Sequence, residues 1–252
     1  MPVSPIRRSG SSPVSTTAYQ GTELDLFASA TVWKEYLAGH LAPFLGKRVL
    51  EVGAGIGGTT RALLPFSCGA WTCLEPDPAL AERIAASIRD GSLPSRCNTI
   101  TGTIADLPAT PSFDTILYID VIEHLPDDRD ELARAALRLL PGGRLIVLAP
   151  AHRKLFTPFD ASVGHLRRYE RRTLERLSPP GLEFVRSAYL DSVGLLASAS
   201  NRFFLDSSMP TLRQIAFWDK ILVRCSKILD PLLGYTLGKS LLTIWQKPLE
   251  GA

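Results

Sequence analysis

Residues Gly53-Ala54-Gly55-Ile56-Gly57-Gly58 follow directly on the apolar stretch Arg48–Val52 and open onto a short helical stretch, Thr59–Leu64. Glycine at that density is needed where a strand turns sharply into a helix and the backbone meets a ligand closely. A strand, a glycine turn and a helix begin an α/β layer, and the chain then repeats the alternation. Ala70–Glu75 reads as the second strand. Asp77 is a suitable N-cap with Pro78 at the first helical position, and Leu80, Ile84 and Ile88 form a buried stripe. Asn98–Thr101 is the third strand and Phe113–Ile119 the fourth. Asp127 or Asp128 caps a helix with the stripe Leu132, Ala136, Leu139 and Leu140. Pro141-Gly142-Gly143 is read as the end of that helix and Arg144–Leu148 as the fifth strand. Five strands separated by helices predict a parallel sheet with right-handed crossovers.

The flanks differ. Residues 1–17, rich in Ser, Thr and Pro, are expected to be a flexible tail. A helix is predicted from about Thr22, with Leu26, Ala30, Trp33 and Leu37 on one face and Gly39 as its stop. Beyond residue 150 a long loop leads to a helix near Thr173–Leu177 and a strand over Leu182–Tyr189. Residues 192–234 read as a helical insertion before a last strand, Ser240–Gln246. With 252 residues, 45% of them hydrophobic, the expectation is one domain over 18–252 with a sizeable core.

The net charge of +3 is concentrated: Arg7 and Arg8 sit in the tail, and 151–172 holds Arg153, Lys154, Arg167, Arg168, Arg171 and Arg172 against Asp160 and Glu170. The remainder is net acidic, so a general nucleic-acid face is not expected. No run of 18 apolar residues occurs, so no membrane span is expected. Four cysteines without a CxxC pair, and no apolar leader, suggest free thiols and a cytoplasmic location.

Gly53, Gly55 and Gly58 satisfy G-x-G-x-x-G, while Gly53, Gly55 and Gly57 satisfy G-x-G-x-G. Glu75, at the end of the second strand, is positioned to accept hydrogen bonds from a ribose diol. The loop alone does not separate a nicotinamide dinucleotide from other adenosine ligands. Several further motifs do. Val49-Leu50-Glu51-Val52-Gly53-Ala54-Gly55-Ile56-Gly57, Leu74-Glu75-Pro76-Asp77, Thr103-Ile104-Ala105-Asp106-Leu107, Asp120-Val121-Ile122-Glu123-His124 and Leu140-Pro141-Gly142-Gly143 occur in order. Together they resemble the class I S-adenosylmethionine (SAM)-dependent methyltransferases. Phe159–Tyr169 and Gly238-Lys239-Ser240-Leu241-Leu242 are similar to a bacterial small-molecule subgroup.

The resemblance implies a Rossmann-like sheet of seven strands, mostly parallel, with an antiparallel last strand beside the fifth and helices on both faces. It implies SAM as cofactor, with S-adenosylhomocysteine (SAH) as product. It places Glu51, Gly53, Gly55 and Gly57 at the methionine end, Glu75 and Pro76 at the ribose, Asp106 at the adenine edge and Asp120 near the cleft. Ligands sit beyond the carboxyl ends of parallel strands, so His124, His152 and His165 are candidate bases for an acceptor proton. Arg167, Arg168 and Tyr169 are candidate substrate contacts in a loop able to neutralise an anionic group; internal pairing with Asp160 and Glu170 is the competing reading. Asp120-x-x-Glu123-His124 is similar to the E-x-x-E-H metal motif of ubiquinone-pathway and small-RNA 2′-O-methyltransferases, with His152 as a fourth ligand. A reading without a metal is preferred.

The expected reaction is methyl transfer to a small, partly hydrophobic acceptor, at a hydroxyl or carboxylate oxygen. The early helix, with Tyr19, Trp33 and Tyr36, is expected to act as a lid. The insertion, with Leu195, Phe203, Phe204 and Trp218, suits an acceptor pocket, a dimer seam or ordinary core; an interfacial membrane helix is disfavoured because its basic residues are sparse. Monomer and homodimer stay open. The rivals are an NAD-dependent oxidoreductase and a non-catalytic SAM-binding protein.

Overall fold

Apolar residues that alternate along a strand bury opposite faces, so a continuous apolar strand needs a helix layer on each side. Val49 and Leu50 obey this rule: both are fully buried, one in each of two separate core clusters. The computed structural model describes residues 23–204 and 210–249. The strands are β1 (Arg48–Val52), β2 (Ala70–Glu75), β3 (Cys97–Thr101), β4 (Phe113–Ile119), β5 (Leu139–Pro150), β6 (Glu183–Leu190) and β7 (Ser240–Gln246). They form one seven-stranded sheet in the order β3-β2-β1-β4-β5-β7-β6. β1 pairs parallel with both β2 and β4, and β7 runs antiparallel between β5 and β6. The expected Rossmann-like sheet, including its antiparallel last strand beside β5, is the one observed.

The helices are α1 (Glu23–Ala28), α2 (Thr31–Leu41), α3 (Gly58–Leu63), α4 (Pro78–Arg89), α5 (Asp128–Leu137), α6 (Pro158–Ser162), α7 (Arg171–Glu175), α8 (Ser192–Phe204), α9 (Leu212–Phe217) and α10 (Val223–Leu232). A π turn, Trp218–Leu222, joins the last two. Asp77 caps α4 as its position suggested, accepting from the amides of Ala79 and Leu80.

Two boundaries differ from the sequence reading. The first helix is divided at Ser29-Ala30, and Gly39 lies within α2 instead of ending it. The division has a distant cause. Asp219 of the π turn accepts from the amides of Val32 at 3.2 Å and Trp33 at 2.8 Å, giving α2 an N-terminus of its own. Leu139 and Leu140, expected on the α5 stripe, belong to β5. The helix closes at Arg138, and Leu139 pairs with Phe113 across the sheet. Pro141-Gly142-Gly143 lies within that strand, where Gly142 (φ 76°) donates its amide to the Lys247 carbonyl at 2.9 Å.

The expected tail, residues 1–17, and the helix start at Thr22 lie outside the described residues. So do Tyr19 and the side chains of Phe203 and Phe204. No described helix is long and apolar enough to cross a membrane.

Candidate active site

Strand order reverses between β1 and β4, each of which continues into a loop at its carboxyl end, and a crevice forms at such a switch point. A cavity of about 630 Å³ occupies it. Its floor is formed by Gly53, Ala54, Gly55 and Ile56 after β1, by Ile119 at the end of β4 and by Asp120 just beyond it. Gly53, Gly55 and Gly57 take φ values of 68°, 57° and 74°, which side chains rarely adopt. A Cβ on Gly53 would lie 2.6 Å from Val121 Cγ2. Beside this loop the Glu75 carboxylate accepts from the Gly55 amide at 2.7 Å through Oε2 and from the Asp77 amide at 3.0 Å through Oε1. Burial raises the Glu75 pKa, opposed by those two bonds. A bare-backbone wall with a buried carboxylate at the end of β2 fits the donor that the motifs imply. Pro76 is exposed beside it. Asp106 follows β3, with Oδ2 accepting from the Thr103 amide at 2.7 Å and hydroxyl at 2.8 Å, so it caps its own turn.

The roof is apolar and comes from the chain's two flanks. Phe27 and Trp33 of the N-terminal helices meet Trp218 of the insertion edge-on and tilted, each with ring centroids 5.9 Å apart. Phe159 and Ile215 extend this wall.

The polar wall follows β5. Thr157 and Asp160 form a capping box that starts α6, which turns Asp160 inward, where it is fully buried. Asp160 accepts from His165 Nδ1 at 2.9 Å and from Arg168 Nε and Nη2 at 2.9 and 2.8 Å. Burial pushes this carboxyl up, but the bonds from His165 and Arg168 prevail and hold it well below the usual carboxylate range. An ionised carboxylate only accepts, so His165 Nδ1 is the donor to Asp160, and Nε2 points the other way, 3.8 Å from Glu123 Oε1. His124 lines the cavity with its ring 4.7 Å from that of His165, and burial lowers its pKa to about 4. Asp120 faces the same space at φ 54°, and desolvation raises its pKa.

Lys239 completes the wall. Its Nζ lies 3.7 Å above the Trp218 ring and 3.7 Å from Asp191 Oδ2. Sequence reasoning gave neither Lys239 nor Asp160 a site role. The Thr157-x-x-Asp160 capping pattern was the readable signal for one. For the other the signal was topological, because an antiparallel β7 begins where β5 ends: Ser240 pairs with Pro150.

Gly57, Glu75, Pro76 and Asp106 lie outside the cavity lining, and four more expected site residues are engaged elsewhere. Glu51 accepts from the Thr60 hydroxyl at 2.6 Å and Trp71 Nε1 at 2.9 Å, bracing β1 against β2 and α3. Burial raises its pKa to about 7, opposed by those bonds. His152 takes φ 65° and stacks on Tyr189 at 5.0 Å, with Nε2 3.0 Å from the Gly238 carbonyl. The Ala151–Tyr169 bridge ties down the chain just ahead of it, and the turn carries the ring onto β6. Arg167 pairs with Asp128 at 2.9 Å. Tyr169 is buried, its hydroxyl donating to Asp128 at 2.7 Å. Arg167 and Arg168 of the basic loop are thus held in internal ion pairs, and Arg168 alone of the three expected substrate contacts reaches the cavity. Ligand atoms of Glu123, His124 and His165 lie within 4.8 Å of one another; of the set expected from sequence, Asp120 and His152 are not in this group, and His165 is.

A methyltransferase domain family matches residues 50–145. The chain is 30% identical over 172 residues to a ubiquinone biosynthesis O-methyltransferase of Xylella fastidiosa, covering 68% of this chain and 67% of that one. It is 32% identical over 166 residues to a demethylmenaquinone methyltransferase of Tropheryma whipplei, covering 64% of each. The chain thus spans just under two thirds of the latter relative. In fold it is similar to a geranyl diphosphate methyltransferase solved with SAM, with TM-score 0.63, 14% identity and coverage of 92% and 94%. The chain belongs to the class I SAM-dependent methyltransferases.

Proposed function

We propose that this protein methylates an oxygen of a small, largely apolar acceptor held in the cavity between β1 and β4. One observation carries the reading: an aromatic roof and a His165–Asp160 pair face the same 630 Å³ space as the glycine loop. Bound SAM supplies a methyl group on a sulfonium, a leaving group that needs no protein nucleophile. The chain's part is therefore placement and proton handling. The glycine loop and Glu75 hold the donor. Phe27, Trp33, Phe159 and Trp218 hold the apolar body of the acceptor and exclude water. Asp160 fixes the His165 tautomer, and His165 Nε2 takes the hydroxyl proton. Lys239, only loosely held by Asp191, receives an acidic substituent if the acceptor carries one. The quinone-pathway names of two relatives agree with an apolar acceptor. A carboxylate acceptor needs no base, so the two oxygen chemistries separate on His165.

The test is turnover of His165→Asn against a panel of apolar phenols and acids, with SAH release as readout. For a phenol the variant loses roughly a hundredfold in turnover, while SAH affinity stays within about twofold of wild type. Unchanged turnover on every accepted phenol would remove His165 as the base.

A further inference from the structure

The helical stretch 212–232 buries one face and leaves the other open. The buried face holds Ile215, Trp218, Asp219, Val223, Ser226 and Asp230. The outward face carries Phe217, Ile221, Ile228 and Leu232, which are 57%, 49%, 69% and 76% exposed. They recur at intervals of four, seven and four residues, an apolar stripe at helical spacing. Arg213, Lys220, Arg224 and Lys227 run beside it at seven, four and three, all exposed. The sequence of 210–238 holds two acids, and both are buried in structural work. Asp219 caps α2, while Asp230 accepts from the Tyr36 hydroxyl at 2.7 Å and the Asp191 amide at 2.7 Å. The segment's four cations look sparse along the sequence, which spoke against an interfacial helix, but with both acids buried they share an outward face on which, among the described residues, every charge is positive.

We infer that this face docks onto an anionic lipid bilayer, lying in the plane of the headgroups. An apolar stripe flanked by unopposed cations is what an interfacial helix presents. Charge complementarity selects the occupant: a second copy would set the same cationic row against itself, whereas anionic headgroups match it. The face also adjoins the cavity. Phe217 belongs to the stripe and to the cavity lining alike, and Gln214 and Leu222 line the cavity from the same helix. Docking would turn this side of the cavity toward the hydrocarbon, where an apolar acceptor is concentrated. This last point rests on the proposed acceptor class; the docking itself does not.

Co-sedimentation of the full chain with phosphatidylcholine vesicles, with and without phosphatidylglycerol, tests the inference without any acceptor. Each cation near an anionic surface contributes about fivefold to partitioning. Binding should therefore need phosphatidylglycerol, weaken with added salt, and fall roughly 25-fold in Lys220→Gln/Lys227→Gln. Arg153→Gln/Lys154→Gln, which removes the same charge from the loop after β5, should bind as wild type does. Ile228→Ser/Leu232→Ser should lose binding while SAH affinity is kept. Absence of binding, equal binding to neutral vesicles, or equal loss in both charge variants would overturn the proposal. So would a dimer in sedimentation velocity that Ile228→Ser/Leu232→Ser dissociates. SAH affinity, read in the same samples, reports separately on the donor site.

Discussion

The two walls of the cavity are built on opposite plans. The wall beyond β1 is a loop of glycines at positive φ, and none of the loop's own cavity-lining residues is titratable. The wall beyond β5 is side chain, a buried web in which Asp160 holds His165 and Arg168 at 2.8–2.9 Å. The glycine loop carries no titratable group of its own, but at Gly53 it has no room for a single methyl group. A side-chain wall reshapes with each partner removed, and it can accept or release a proton. That division suits the reaction proposed above, in which the donor is fixed and a hydroxyl acceptor gives up its proton.

The largest effect should come from the side-chain wall. Asp160→Ala leaves the largely buried Arg168 side chain, 10% exposed, without its carboxylate partner and should cost about 4 kcal/mol in urea unfolding. A loss under about 1 kcal/mol would mean the web contributes little, and the contrast between the walls would fail.

Next is the carboxylate behind the backbone wall. Burial raises Glu51 to about 7. Between its ordinary value and about 7, the folded state therefore holds a proton that the unfolded state has released. Stability falls as pH rises through that window. Glu51→Gln removes this slope, so its advantage over wild type should grow from about pH 5 to about pH 8, approaching about 3 kcal/mol. Parallel stability curves would show that Glu51 is ionised in the folded protein throughout.

The smallest stability effect should be Gly53→Ala, at about 2 kcal/mol from φ strain and contact with Val121. Its effect on SAH affinity should still exceed tenfold. A stable variant with normal SAH affinity would show that the backbone wall is not the donor site.

Local signals made the first half of the molecule legible. Apolar runs, the Asp77-Pro78 cap and the glycine loop each act within a few residues, and β1, β2 and β4 fall where they were expected, as does β7 at the far end of the chain. What escaped is long-range. Gly142 looks like a helix stop, yet Lys247, far along the chain, draws it into β5. Gly39 looks like another, but with no neighbour near its Cβ position it is tolerated inside α2. Of the three candidate histidines, sequence placed His124 and His152 at strand ends and His165 in the loop that follows the fifth strand. Only the path of the loop decided that His124 and His165 face the cavity while His152 turns onto Tyr189. Lys239 needed the antiparallel entry of β7 to reach the carboxyl edge of a parallel sheet.

The central claim is that the glycine loop and Glu75 form a SAM site, and calorimetric titration tests it most directly. Wild type should bind SAH at one site, and Glu75→Ala should weaken it by more than tenfold while Asp106→Ala, whose carboxylate caps its own turn, is affected less. Heat from NAD(H) with none from SAH would contradict the account and return the glycine loop to a dinucleotide reading.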